Sequence, residues 1–215
     1  MEQLMMRDPY VDEDGVYRVR SLYFDDFRNS CYLDNINGTD PREKFRIRVY
    51  PARGGITKEG TERILLECKR REREKTLKTS CILTPEQAAR LVLGRPFEHI
   101  DVLPPLLRKL ELLRRNRLYH PTVIVEYDRI PYVYPSGNVR VTFDCGISSS
   151  SDIDRFFSPE IEKRPILPLG QELLEVKFDS FLPDPIYRAI NAEPLERVAF
   201  SKYCLCRKYD LRGVR

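Results

Sequence analysis

The stretch Lys44-Phe45-Arg46-Ile47-Arg48-Val49-Tyr50 decides how the chain is read. At the two-residue period of a β-strand, Lys44, Arg46 and Arg48 fall on one face and Phe45, Ile47 and Val49 on the other. Three cations in a row repel one another, so the row needs either solvent to screen it or an anion lying across it. For one strand taken alone, a solvated face is the plainer reading. The pattern, however, recurs along the chain.

Residues 17–24 form a strand by aromatic and β-branched content, with Arg18 and Arg20 opposite Val19. Asp25 and Asp26 can cap a short segment over 27–35, and Asn37-Gly38 is a turn before the opening stretch. A loop over 51–60 leads to a strand over 62–71, with Glu67 and Lys69 opposite Leu66 and Cys68. The charged run 70–75 reads as a solvated hairpin tip, and the return strand over 76–83 carries Lys78. Thr84-Pro85-Glu86-Gln87 has the residues of a capping box with proline at the first helical position, and this helix ends near Gly94. Leu106, Leu107, Leu110 and Leu113 mark a second helix over 103–118, docked on a core.

Strand character returns over 121–134, with Tyr127 and Arg129 on one face. A tight turn at Ser136-Gly137-Asn138 precedes a strand over 139–145, where Arg140, Thr142 and Asp144 share a face. Residues 148–168 read as a loose connection, 172–178 as a strand with Glu175 and Lys177 together, and 183–191 as a short helix. The stretch 197–209 is compatible with helix or strand. Residues 1–15 read as a truncated remnant with turns at Asp8-Pro9 and Asp14-Gly15, and 16–210 as one domain.

Of 215 residues, 33% are charged and 41% apolar, as in a charge-rich globular domain. The 37 basic and 33 acidic side chains leave a net charge of +4, too small an excess to argue for nucleic acid. Nor are stacking aromatics interleaved with the basic residues as in single-strand binders. Six scattered cysteines without a C-x-x-C pair, and two histidines, write no zinc site and read as buried, reduced thiols. Without a signal peptide or a long apolar run, the expected compartment is the cytoplasm.

The side chains gathered on charged faces are Arg46, Arg48, Glu67, Lys69, Lys78, Arg129, Arg140, Asp144, Glu175 and Lys177. In a sandwich they would point to water. In a closed barrel they could point inward, and a lumen lined by cations with a few carboxylates demands a polyanion, with a divalent metal riding on it.

Seven segments then occur in order: Ser21-Leu22-Tyr23-Phe24-Asp25, Lys44-Phe45-Arg46-Ile47-Arg48, Glu67-Cys68-Lys69, Tyr127-Asp128-Arg129, Val139-Arg140-Val141-Thr142-Phe143-Asp144, Leu174-Glu175-Val176-Lys177 and Ser201-Lys202-Tyr203. Together they resemble the VTC-type polyphosphate polymerase domain of the triphosphate tunnel superfamily, over nearly the whole chain. The resemblance implies an α+β fold, an eight-stranded antiparallel β-barrel with flanking helices. It also implies transfer of the ATP γ-phosphate to polyphosphate with Mn²⁺ or Mg²⁺.

Carried over by position, Arg46, Arg48, Lys69, Lys78, Arg129, Arg140 and Lys202 would grip phosphates. Tyr127, Ser201 and Lys177 would add substrate contacts, and Glu175 with Glu67 would hold metal. Hydrolytic relatives tend to carry Glu-x-Glu pairs where this chain has Glu67-x-Lys69 and Glu175-x-Lys177, which disfavours a triphosphatase. The family's usual first wall strand has no counterpart here, so a module that binds polyphosphate, nucleotide or inositol phosphates without turnover is the alternative. Polymerases of this type sit beside membrane-embedded segments elsewhere, so the resemblance also admits a membrane-protein partner.

Overall fold

The computed structural model describes residues 1–51, 63–192 and 195–212; the expected loop beyond Pro51 and the strand start at Glu62 lie outside them. Among the described residues, nine antiparallel strands make one sheet. They are β1 (Met6–Arg7), β2 (Tyr17–Asp25), β3 (Arg42–Val49), β4 (Ile64–Glu72), β5 (Lys75–Leu83), β6 (His120–Tyr134), β7 (Val139–Ser150), β8 (Arg164–Pro165) and β9 (Leu173–Lys177). The α-helices among the described residues are α1 (Ser30–Ile36), α2 (Pro85–Val92), α3 (Pro105–Arg117), α4 (Asp184–Ile190) and α5 (Lys202–Arg212).

The sheet runs β5-β4-β3-β2-β6-β7. Long β6 and β7 are each shared along their length: β6 takes β2 on its first stretch and β1 near its end, while β7 takes β9 early and β8 late. From β4 to β9 is five strand-to-strand steps, roughly 24 Å in a flat sheet at about 4.8 Å per step. Yet the Lys69 ammonium on β4, its pKa lowered first by burial, also feels the charges of Lys177 and Glu175 on β9. The sheet is therefore rolled, with its two ends facing across an interior. Among the described residues β5 does not pair with β9, so the roll stays open where a closed barrel was expected.

On β3, β4 and the later part of β2, alternation places the apolar side chains outward. Phe45 and Ile47 on β3, Leu66 on β4 and Leu22 and Phe24 on β2 are buried with Leu91 of α2 and Leu107 and Leu110 of α3. The Thr84–Gln87 capping box forms as the sequence predicts, fixing where α2 leaves β5. A second core joins Met5, Tyr132, Val139 and Val141 to Ile186 of α4. Residues 1–15 thus pack on the same sheet, with Met6 and Arg7 opposite Val133 and Tyr132.

Three expectations change. The serine-rich stretch with loop composition is the end of β7, where Ser148, Ser149 and Ser150 pair with Glu126, Val125 and Ile124 and are buried. The charged tip is shorter than expected: β4 runs to Glu72 and β5 restarts at Lys75, with Arg73 at positive φ. The C-terminal stretch left open between helix and strand becomes helix from Lys202 on, in α5, which carries Cys204 and Cys206 two positions apart. The six cysteines are reduced thiols, and burial pushes the thiol pKa of Cys68 up to about 11 and that of Cys145 up to about 12.

Candidate functional site

Register brings the sequence-predicted residues together. Tyr23 faces Arg46, Ser21 faces Arg48, Arg46 faces Glu67, Lys44 faces Lys69 and Lys69 faces Lys78. On the other wall Arg129 faces Asp144, Thr142 faces Glu175 and Arg140 faces Lys177. The first residues of α5 complete the channel, with Lys202 directed between the walls.

Two carboxylates neutralise most of these cations. Glu67 is 2% exposed and pairs with Arg46 at 2.7 Å, with Arg48 at 3.7 Å and with Lys78. Burial alone would raise its pKa; Arg46, Arg48 and Lys78 outweigh that and bring it down to about 2. Arg46 also donates to the Tyr23 hydroxyl at 2.9 Å, and Arg48 to Ser21 Oγ at 3.3 Å. Asp144 is fully buried and accepts both donors of the Arg129 fork at 2.6 and 2.8 Å, a bidentate pair. Lys202 Nζ lies 2.6 Å from the same carboxylate and 4.8 Å from the centre of the Tyr127 ring, over which Arg129 also sits. Desolvation works against the Arg129 charge, but Asp144 and the neighbouring tyrosines outweigh it and raise its pKa.

Glu175 lies 3.1 Å from Lys177 and 3.7 Å from Arg129, and its pKa is lowered by these cations against the effect of burial. Arg140 donates to Asp8 Oδ2 and Tyr17 Oη, each at 3.0 Å. Ser201 Oγ accepts from Lys44 Nζ at 3.3 Å, so Lys44 joins Arg46 and Arg48 at the site.

In the sequence Asp144 lies on the charged face without an evident role, and nothing local marks Tyr23, Asp8 or Tyr17. Tyr23 stood inside a quoted motif, and only its register opposite Arg46 marks it as a site residue. Arg18 and Arg20 belong elsewhere. They lie on the outward face, where buried Arg20 pairs with Glu126 at 2.5 Å and donates to the carbonyls of Phe156, Ser158 and Pro159. That cluster clasps the connection after β7 against the sheet.

A fit for metal is found at one carboxylate. Among the described residues no group of three or more His, Cys, Asp or Glu side chains is placed to hold an ion. Glu67 is occupied by three cations and is poorly suited to a further one. Glu175 is partly exposed on the groove and suits a cation that brings most of its ligands as phosphate oxygens and water. No helix among the described residues is long and apolar enough to cross a membrane.

Fold and site together define an α+β domain whose rolled antiparallel sheet encloses a channel lined by cationic side chains and their carboxylate partners. The VTC domain model matches residues 1–209, and the chain belongs to the VTC domain family. No curated protein matches the sequence. Among solved structures, the chain is similar to a candidate adenylate cyclase from Bacillus halodurans, with 15% identity, 87% of this chain and 82% of that one covered, and a TM-score of 0.45. It is also similar to the PH1819 protein of Pyrococcus horikoshii, with 15% identity, 82% and 71% covered, and a TM-score of 0.39.

Proposed function

We propose that this chain is an ATP-dependent polyphosphate polymerase. The observation that carries the reading is the convergence of Arg46, Arg48, Lys69, Arg129, Arg140, Lys177 and Lys202 on one interior face of the rolled sheet. Membership of the VTC domain family supports it.

In this mechanism arginine forks hold non-bridging phosphate oxygens in fixed directions, while lysines supply mobile positive charge. A terminal oxygen of the polyphosphate chain forms a bond to the γ-phosphorus of ATP. The bond to the β,γ-bridging oxygen breaks, and ADP leaves with the electron pair. The attacking oxygen is already ionised, so alignment and charge neutralisation suffice without a general base. Arg46 and Arg48 on one wall, with Arg129, Arg140 and Lys202 on the other, hold donor and acceptor in line. Tyr127 packs beneath Arg129 and Lys202 and keeps their charges directed inward. Mn²⁺ or Mg²⁺ carried on the phosphates beside Glu175 would supply further neutralisation of the transferring group.

A second reading, a module that binds polyphosphate without turnover, is favoured by one observation: among the described residues the edges β5 and β9 are not bonded to each other. Incubating the purified protein with ATP and Mn²⁺, then staining a gel for polyphosphate, separates the two. A ladder supports the polymerase; tight tripolyphosphate binding without a ladder supports the module. Orthophosphate released from tripolyphosphate would assign a triphosphatase instead. Alanine at both Arg46 and Arg48 should abolish tripolyphosphate binding, and wild-type affinity in that double variant would refute the site.

A further inference from the structure

We propose that Thr142 is a phosphate-binding residue, its hydroxyl donating to a non-bridging oxygen of a phosphate held between Arg140 and Lys177. The inference rests on the reading of the channel as an oligophosphate site and names one further residue that contacts the phosphates.

Thr142 lies on the channel face of β7 between Arg140 and Asp144, with Pro131 opposite on β6 and Glu175 opposite on β9. It is 3% exposed, and its Oγ1 is buried without a hydrogen-bond partner. The same groove is lined by Arg129, Arg140, Glu175 and Lys177. Arg140 Nε is likewise buried and unpartnered, while its Nη2 is held by Asp8 and Tyr17. A donor N–H and a hydroxyl, two residues apart on one strand face, therefore line one groove with unused hydrogen-bonding capacity.

The rest of the channel differs. Arg46, Arg48 and Lys78 have Glu67 as acceptor, and Arg129 and Lys202 have Asp144. An anion reaching those cations must displace a carboxylate. Arg140 also has a carboxylate partner, Asp8, but its Nε and the Thr142 hydroxyl offer donors that no protein group satisfies. An orphan buried hydroxyl destabilises the free protein, whereas valine would fill the same shape on a strand without that penalty. A neutral hydroxyl also adds direction without adding charge, so it orients a phosphate that Arg140 and Lys177 attract.

The test compares Thr142→Val and Thr142→Ser with wild type, by calorimetric titration with tripolyphosphate at fixed salt and by thermal melts without ligand. Thr142→Val should bind about tenfold more weakly or worse, as expected when a hydrogen bond to a charged group is lost. Its melting temperature should rise by about 2–4 °C, because the orphan hydroxyl is gone. Thr142→Ser should bind within about threefold of wild type, since it keeps the donor.

Wild-type affinity in Thr142→Val, with binding still lost in the Arg46→Ala/Arg48→Ala variant, would overturn this inference and leave the channel reading standing. A Thr142→Val protein that melts below wild type while Thr142→Ser does not would mark the hydroxyl as structural, and also overturn it. Wild-type protein that fails to bind tripolyphosphate would overturn both.

Discussion

The ammonium of Lys202 lies 2.6 Å from Oδ2 of Asp144, tying the first residue of α5 to the middle of β7. Asp144 has no exposure and also receives the Arg129 fork, so one carboxylate balances two cations from different elements. Asp144→Asn should lower stability by about 3–5 kcal/mol, since it leaves buried positive charge uncompensated. Tripolyphosphate should restore more of the melting temperature in this variant than it adds to wild type, because the ligand supplies the missing negative charge. Equal ligand-induced shifts in the two proteins would show that the anion does not approach Lys202 and Arg129.

Arg20 provides the contrasting case. It is as buried as any cation among the described residues, but it sits on the outward face and is satisfied by Glu126 and three backbone carbonyls. Arg20→Met should destabilise the fold by about 3–5 kcal/mol, leaving Glu126 short of a partner. Molecules that remain folded should bind tripolyphosphate as wild type does. Loss of affinity matching that of an Arg46 variant, with the fold intact by circular dichroism, would contradict the two-face assignment.

The paired carboxylates make stability depend on acid. Glu67 has a pKa near 2, and those of Glu126, Asp144 and Glu175 also lie below their ordinary values, in each case because cations outweigh burial. Each therefore binds its proton more readily in the unfolded chain than in the folded one. Their contribution is fully present above the ordinary carboxylate range and is lost as pH falls from about 4.5 toward 2. Urea denaturation followed between about pH 6 and 2.5 should show unfolding free energy falling only in the acid limb. A flat profile there would mean that the pairs do not persist in solution.

Much of this arrangement is legible in the sequence because a strand's two-residue period is set by the backbone. Once 44–49 is strand, Arg46 and Arg48 must share a face, and the same holds for Glu67 with Lys69 and Glu175 with Lys177. What is not legible depends on partners far along the chain. The run Ser148-Ser149-Ser150 has loop composition, and only pairing with β6 and the Ser148 hydroxyl bond to the Glu126 carbonyl make it strand. The start of α5 mixes lysine, tyrosine and cysteine with no clear period. It is anchored by the Tyr203 hydroxyl bond to Asp25 at 2.5 Å, across most of the chain. Whether the sheet's ends meet is likewise outside local pattern, since alternation says which way Lys69 and Lys177 point and nothing about the distance between their strands.

Glu67 offers the sharpest separation between two roles for a channel carboxylate. Held by Arg46, Arg48 and Lys78, it is an internal counterion that an incoming polyanion must displace from those cations. Glu67→Gln removes the competing charge while keeping the side chain's size and a carbonyl acceptor for Arg46. As a counterion, its loss should tighten tripolyphosphate binding by about tenfold in metal-free buffer, a gain of about 1.4 kcal/mol. As a metal ligand, its loss should leave metal-free binding unchanged and weaken binding only when Mn²⁺ is present. Titrations of both proteins with and without Mn²⁺ distinguish these outcomes. The geometry favours the first, because a carboxylate already surrounded by three cations attracts a fourth only weakly, whereas Glu175, partly exposed and on the opposite wall, keeps room for a phosphate-borne ion.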